Sequence, residues 1–253
     1  MNIPKIYRSG NYQITHYNEL SSTNDHAWHL ISNNNPIENV VIVADYQTNG
    51  KGQYGRKWEA RRGENITMTV IMSPKSLNIK HAFYLNILVS LAIINTLEKE
   101  IDEELKVKWP NDIYYQNKKL CGILIKNKVL QNHIKQSILG MGINLNQENF
   151  DPSLPNPTSL ALICKKKFDN KEIVDNILEN LTTQINRLEE NGVDPLLSDY
   201  NNRLYKKDLQ ALFKVDNQKK KLTIKKVTAL GTIHLNESDG SVLKLSSGLE
   251  YIL

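Results

Sequence analysis

Hydrophobic and polar positions alternate along the chain in two periods. Val40–Asp45 is a short β-branched run and Ile66–Met72 is a second, each patterned as a buried strand. A polar, glycine-bearing loop, Tyr46–Asn65, lies between them. Ala82–Glu100 is apolar around most of its circumference and reads as a helix buried on most sides. Three strand patterns follow: Asp112–Tyr115, Lys119–Lys126 and His133–Gly140. Gln116-Asn117-Lys118 is a candidate turn for the first pair and Lys128–Asn132 for the second. Ile173, Val174, Ile177, Leu178, Leu181, Ile185 and Leu188 keep the 3.6-residue period and predict an amphipathic helix over Asn170–Asn191, stopped by Gly192. A short helix, Pro195–Tyr205, is expected next.

The texture then changes. Leu209–Val215, Leu222–Val227, Thr232–Leu235 and Ser241–Leu245 are short strand patterns, with a turn at Glu237–Gly240. Helices and strands segregate in this way in an α+β protein with a small β unit at its end. Near the other end, Ser22 with Asp25 three residues on resembles a capping box. It sets Ser22, Thr23 and Asn24 at a helix N-terminus, where free N–H groups favour oxygen-bearing ligands; a plain helix cap is the simpler reading.

Composition narrows the class. Of 253 residues, 40% are hydrophobic and 23% charged, which excludes a disordered, collagen-like or membrane-bundle chain. The length suffices for a core without covalent staples. Cys121 and Cys164 stand far apart and form no C-x-x-C or Cys/His cluster, so neither a structural zinc site nor a disulfide framework is expected. Unpaired thiols fit a reducing cytoplasm. The first ten residues carry no secretory apolar core. The Ala82–Leu97 stretch, interrupted by Asn86, Ser90 and Asn95, falls short of the roughly 20 apolar residues of a membrane span. Net charge is +5, with the lysine excess in local clusters such as Lys219–Lys221 and Lys225–Lys226. These read as solvated surface, with steering of an acidic protein partner as the sharper alternative.

Three segments carry candidate chemistry. Gly50–Gly55 matches G-x-G-x-x-G, but the loop runs on to a strand, so the dinucleotide-binding arrangement fails. The kinase reading fails as well, because H-R-D and D-F-G are missing. What remains is a glycine loop rich in cations (Lys51, Arg56, Lys57, Arg61, Arg62) followed by Trp58. Glycine backbone and cations suit a phosphate and an indole suits a purine, while a solvated surface loop has the same composition. The second segment is Lys108-Trp109-Pro110-Asn111-Asp112, followed by Lys119 at the head of an apolar strand. Proline is foreign to a central strand, and Asn111-Asp112 can orient a hydroxyl or a metal-bound phosphate. Lys119 is either a functional charge or a strand-edge guard. In the third segment, Gly140 and Gly142 interrupt a strand and mark a bulge or a close backbone approach, with Asn144 and Asn146 as turn residues. The six histidines are scattered without ligand spacing, and no Ser-His-Asp or Cys-His-Asn set stands out. This is a site for phosphate electrostatics.

Taken in order, Ser22-Thr23-Asn24, Gln47 with GKGQYGRKW, KWPNDIYYQNKKLCGILIK and GMGINLN resemble the biotin protein ligases, or biotin–[acetyl-CoA carboxylase] ligases. The family forms are STN, Q-x-x-G-R-G-R-x-x-R-x-W, KWPND-[LIV] with K-[LIVA]-x-GIL, and G-[LIVM]-G-[LIV]-N. The resemblance implies a mixed β-sheet with flanking helices over residues 1–205 and an SH3-like β-barrel over 206–253. It also implies a two-step reaction. The biotin carboxylate attacks the α-phosphate of ATP, giving biotinoyl-5′-AMP and pyrophosphate. A lysine of a biotin carboxyl carrier domain then displaces AMP. Magnesium (Mg2+) would accompany the triphosphate, held largely by phosphates and water, with no protein metal site.

By the same resemblance Ser22, Thr23, Asn24 and Gln47 face biotin, and Gly50, Lys51, Gly52 and Gln53 form the loop that closes over it. Gly122, Gly140 and Gly142 make room. Arg56, Trp58, Lys108, Asn111, Asp112 and Asn144 face ATP. Lys119 meets both substrates, and Lys119, Lys51, Arg56 and Asp112 form the catalytic set. Two departures stand out: Lys51 and Gln53 occupy the loop positions where the family carries arginine, and Gln53 has no charge. About 20 residues precede Ser22, too few for the helix-turn-helix of some members, so no DNA binding is expected. Lipoate or octanoate ligase and a non-catalytic biotin sensor are the competing readings. A Gly-Gly-Gly stretch and a downstream His-Asp, marks of the former, are missing. A monomer and a homodimer are equally open.

Overall fold

The computed structural model describes residues 3–32 and 37–252. Its larger sheet has eight strands: β1 (Lys5–Ser9), β2 (Tyr12–Tyr17), β3 (Val40–Ala44), β4 (Ile66–Met72), β5 (Leu105–Lys108), β6 (Asp112–Tyr115), β7 (Lys118–Leu130) and β8 (His133–Ile143). Their spatial order is β1-β2-β3-β4-β8-β7-β6-β5, with β2 and β3 parallel and every other neighbour antiparallel.

Both faces of this sheet are covered, which is why its central strands read as continuous apolar runs. Helix α1 (Thr23–Ser32) covers Ile42, Ile71 and Ile138 with its own Ala27 and Ile31. The alternate residues Val41, Val43, Val70 and Leu139 belong to the main core on the opposite face. That core contains α2 (Phe83–Leu97), whose apolar circumference is enclosed by the sheet, by α4 (Asn170–Asn191) and by α5 (Val193–Asn202). A short α3 (Leu160–Cys164) precedes α4. Asp169 caps α4 through the N–H groups of Lys171 and Glu172.

The second sheet is antiparallel: β9 (Gln210–Val215), β10 (Gln218–Val227), β11 (Ile233–Asn236), β12 (Val242–Leu245) and β13 (Glu250–Tyr251), in the order β12-β11-β10-β9-β13. Phe213, Ile224 and Leu235 on its inner side join the main core. Trp109 Nε1 donates to the Gly231 carbonyl at 3.0 Å and ties the two sheets together.

Several expectations need correction. The turn foreseen at Lys128–Asn132 is tighter, because β7 runs to Leu130 and β8 starts at His133. The helix foreseen at Pro195–Tyr205 starts at Val193 and ends at Asn202. Edge strand β1 with its neighbour β2, short β5 and β13, and α3 had too few periodic positions to stand out. The Trp-Pro pair lies in the turn between β5 and β6, outside both strands; its peptide bond is cis. Ile79–Glu100, including its flanking 3-10 turns, is 22 residues long and meets a membrane span's length and apolarity, contrary to the shorter estimate from sequence. Its position between sheet and helices makes it a core element.

Candidate functional site

The registers of five strands define one straight row of residues across the α1 side of the sheet. Lys108 on β5 faces Asp112 on β6, Asp112 faces Gly122 on β7, Gly122 faces Gly142 on β8, and Gly142 faces Thr67 on β4. One residue further along the face, Leu124, Gly140 and Thr69 form a parallel row. At roughly 4.8 Å per strand step, the path from Gly142 to Lys108 is about 14 Å. Glycines make its floor at one end and charges at the other.

The polar end is built by α1. Asn24 Nδ2 donates to the Leu124 carbonyl at 3.0 Å, and its Oδ1 accepts from the Thr69 hydroxyl at 2.6 Å. That hydroxyl also lies 2.8 Å from Thr23 Oγ1. Gln47 Oε1 accepts from the Thr23 N–H at 2.7 Å and from its hydroxyl at 3.0 Å. Ser22, Thr23, Asn24 and Thr69 are all buried. Ser22 also performs its expected cap, accepting from the Asp25 N–H at 3.3 Å. The two readings of this segment hold together: the cap positions the cluster. Thr69 escaped the sequence reading, although a threonine recurring at alternate positions in ITMTVIM was its signal.

The glycines are sites of close approach; none of them is a bulge. A Cβ on Gly140 would lie 2.2 Å from Asn24 Oδ1, and one on Gly142 would lie 2.4 Å from Trp58 Cε2. Trp58 thus lies over the floor, reaching Gly122 as well, where a Cβ would be 3.0 Å from its Cζ3. Its Nε1 is buried without a hydrogen-bond partner among the described residues. Sequence reasoning set this indole toward the nucleotide; its ring borders the pocket lined by Ser22, Asn24 and Gln47.

The loop that carries Trp58 is a small closed hairpin. Lys51 bridges Lys57, Trp58 N–H donates to the Gly50 carbonyl at 3.0 Å, and Gly52 N–H to Arg56 O at 2.7 Å. Gly50 has no room for a side chain, since a Cβ would meet Trp58 O at 2.4 Å. Lys51 Nζ reaches Asp25 Oδ2 on α1 at 2.5 Å and so pins the loop beside the pocket. Gln53 lines the pocket, and Arg56 is exposed.

At the charged end a β-bulge matters. The β6–β7 register shifts between Ile113 and Tyr114, so Leu120 is the extra residue. Lys119 thereby joins the face of Gly122, although three residues apart in a regular strand would put them on opposite faces. Leu120 goes to the core. Lys119 Nζ pairs with Asp112 Oδ1 at 2.7 Å and sits 5.7 Å from the Trp58 ring centre. Asn111 lines the pocket, its Nδ2 donating to the Ile123 carbonyl at 2.8 Å.

Lys108 lies deeper, donating to Tyr114 Oη at 3.0 Å. Burial lowers its pKa from 10.5 to about 8; Asp112 opposes this, while Lys119, Arg56 and Lys206 add to it. Asn144 is buried, and its amide donates to the Thr158 carbonyl at 3.0 Å, in the segment that bridges Lys119 through Pro157. Among the described residues no group of three or more His, Cys, Asp or Glu side chains is placed to hold a metal.

Comparison with known proteins places this geometry. The model of the Biotin/lipoate A/B protein ligase family matches residues 17–144. Among curated relatives, the Bifunctional ligase/repressor BirA of Bacillus subtilis is 32% identical over 165 residues, covering 64% of this chain and 50% of that protein. The Biotin--[acetyl-CoA-carboxylase] ligase of Mycobacterium tuberculosis is 29% identical over 182 residues, 70% of this chain and 65% of that one. The chain thus spans about half the length of the first curated relatives it matches. The biotin protein ligase from Aquifex aeolicus, solved in complex with biotin and ATP, shares the fold with a TM-score of 0.78 at 22% identity, covering 94% of this chain and 99% of that one.

Proposed function

We propose that this chain, which belongs to the Biotin/lipoate A/B protein ligase family, is a biotin protein ligase that forms biotinoyl-5′-AMP and passes biotin to a lysine of a biotin carboxyl carrier domain of acetyl-CoA carboxylase or a related carboxylase. The observation that carries this reading is the row from Gly142 to Lys108: a polar, roofed pocket at one end and cations at the other, with Lys119 between. Roughly 14 Å of floor, three strand spacings, suits an acyl-adenylate lying across the strands.

The polar end fits a cyclic urea. Such a ring offers one carbonyl acceptor and two N–H donors. Ser22, Thr23 and Asn24 supply hydroxyl and amide groups, and Gln47 keeps its Nε2 free of hydrogen bonds among the described residues. A dithiolane or an octanoyl tail would offer no partner to the Ser22 hydroxyl or to Gln47 Nε2, and an unmet polar group in such a pocket costs about 1–3 kcal/mol. This favours biotin over lipoate or octanoate.

The chemistry needs positioning and charge. The biotin carboxylate and the α-phosphate are both anionic, so their approach is uphill until cations neutralise them. Lys119 is placed for both. Its ammonium has three donors, so it can meet substrate oxygens while Asp112 holds its orientation. Lys108 and Arg56 add charge toward the leaving pyrophosphate. Lys51 and Gln53 close the loop on the mixed anhydride and keep water from it. In the second step the carrier amine attacks the acyl carbon, an amide forms, and AMP leaves with its bonding pair. Magnesium would arrive on the triphosphate, with Asp112 as the carboxylate beside it; a single carboxylate already paired to Lys119 fits a cation carried by phosphates and water.

We read residues 1–205 as the catalytic domain and 206–253 as an SH3-like β domain. Residues 5–17, ahead of the Ser22 segment, pair as a hairpin at one edge of the larger sheet. The thiols of Cys121 and Cys164 are unpaired, in keeping with the cytoplasm.

The test is biotin-dependent exchange of labelled pyrophosphate into ATP, with lipoate and octanoate in parallel. Exchange with biotin alone supports the ligase. Biotin binding without exchange favours a sensor, and exchange with lipoate or octanoate instead sinks the substrate assignment.

A further inference from the structure

Lys108 sits in an environment that the adenylation site does not by itself explain. Its ammonium lies 4.7 Å from the ring centre of Tyr114 and 4.9 Å from that of Tyr251, both within cation–π reach. Tyr114 is its neighbour on β6, but Tyr251 comes from β13 in the C-terminal sheet. The Tyr251 hydroxyl is buried. The ring is fixed by Phe213 at 5.0 Å and Tyr205 at 5.8 Å, centre to centre. Tyr205 is fixed in turn by its hydroxyl on Asn117 Oδ1 at 2.6 Å. The cross-strand carboxylate, Asp112, is taken by Lys119. Lys108 is therefore held by aromatic faces and one phenol oxygen. Aliphatic packing would be the cheaper choice at such a position, because burying an ammonium costs solvation.

Resting on the adenylation reading above, we propose that Tyr251 is a positioning residue for Lys108. The C-terminal sheet completes the phosphate end of the site by closing an aromatic sleeve around that ammonium. Two rings attract the charge without neutralising it, so the full positive charge stays available to the leaving pyrophosphate. A carboxylate in their place would cancel it. The groups facing Lys108 are Tyr114 and Asp112 from β6, Lys119 from β7, Arg56 from the loop, Lys206 from the segment before β9, and Tyr251. Burial beside these cations already lowers its pKa to about 8, which makes the aromatic contribution measurable near neutral pH.

The test uses the full-length protein and the variants Tyr251→Leu and Tyr251→Phe. The first reading is the pH dependence of Lys108 acetylation by trace acetic anhydride, followed by peptide mass spectrometry. It needs no turnover, so it stands apart from the ligase reading. Leucine keeps the site filled and removes the ring; the labelling midpoint should fall by about one pH unit. Phenylalanine keeps the ring and loses only the hydroxyl; its midpoint should stay. The second reading is pyrophosphate exchange. Tyr251→Leu should raise the KM for ATP about tenfold and leave that for biotin within twofold, with Tyr251→Phe close to the parent. A folded Tyr251→Leu with an unmoved midpoint, or with an unchanged KM for ATP, overturns the inference. Should Tyr251→Leu fail to fold, Tyr251→Trp, which keeps an aromatic face, must retain the midpoint or the inference fails.

Discussion

Lys119 and Gly122 stand on the same face of β7, three residues apart, and a Cβ on Gly122 would lie 3.4 Å from Lys119 Nζ. The bulge at Leu120 makes this possible, and the absent side chain gives the lysine room to fold over the strand. A Gly122→Ala variant should therefore fold nearly as well as the parent, since the neighbours are ends of the Lys119 and Trp58 side chains. Its kcat/KM for biotin in pyrophosphate exchange should fall at least tenfold. Melting within about 1–2 °C of the parent, a cost of about 0.5 kcal/mol, with full activity would refute the packing argument.

Gly140→Ala should behave differently. The new methyl would fall 2.2 Å from Asn24 Oδ1, while β8 is held on both sides by β4 and β7. Asn24 must leave its bonds to Thr69 and Leu124. The expected cost is about 1–3 kcal/mol in urea unfolding, typical of overpacking, together with loss of biotin binding in calorimetry. A stable variant that binds biotin normally would show that Asn24 is not part of the site.

Lys119→Ala should abolish biotin-dependent exchange and leave Asp112 without its ion-pair partner. Biotin binding itself should weaken less, because the polar cluster on α1 is untouched. Comparing calorimetric affinity with exchange rate separates the two; equal losses in both would mean that Lys119 serves ground-state binding only.

Stability should carry a signature of Lys108. Its folded pKa, about 8, lies below its ordinary 10.5, so between these values the unfolded chain binds more protons and stability rises with pH. Below about 8 the cost of the buried charge is present in full. Lys108→Met should then be more stable than the parent at pH 7, with an advantage that shrinks by pH 10. Urea unfolding at both pH values measures it, and an advantage independent of pH would contradict the burial of a charged lysine.

Gln53 lines the pocket without charge on a loop pinned by Lys51 to Asp25. Gln53→Arg adds a cation facing the anhydride and should slow release of biotinoyl-AMP, followed by chase with unlabelled substrate. Faster leakage would contradict the loop's proposed role as a closure.

Periodicity alone located β3, β4, β6, α2 and α4 nearly to the residue, because both faces of the sheet are buried and α4 keeps a long unbroken stripe. The order of the motifs, with Lys119 and the three strand glycines, was likewise written in the chain. The sequence left open whether Gly140 and Gly142 bulge or yield space. It also gave no hint that Thr69 would meet Asn24, that Trp58 would lie over Gly142, or that Tyr251 would reach Lys108. These depend on strand order and register, which bring together residues 45, 84 and 143 positions apart. Local pattern fixes which face a side chain takes only while the strand is regular. One extra residue at Leu120 reversed that face for Lys119, and only the pairing of β6 with β7 could decide it.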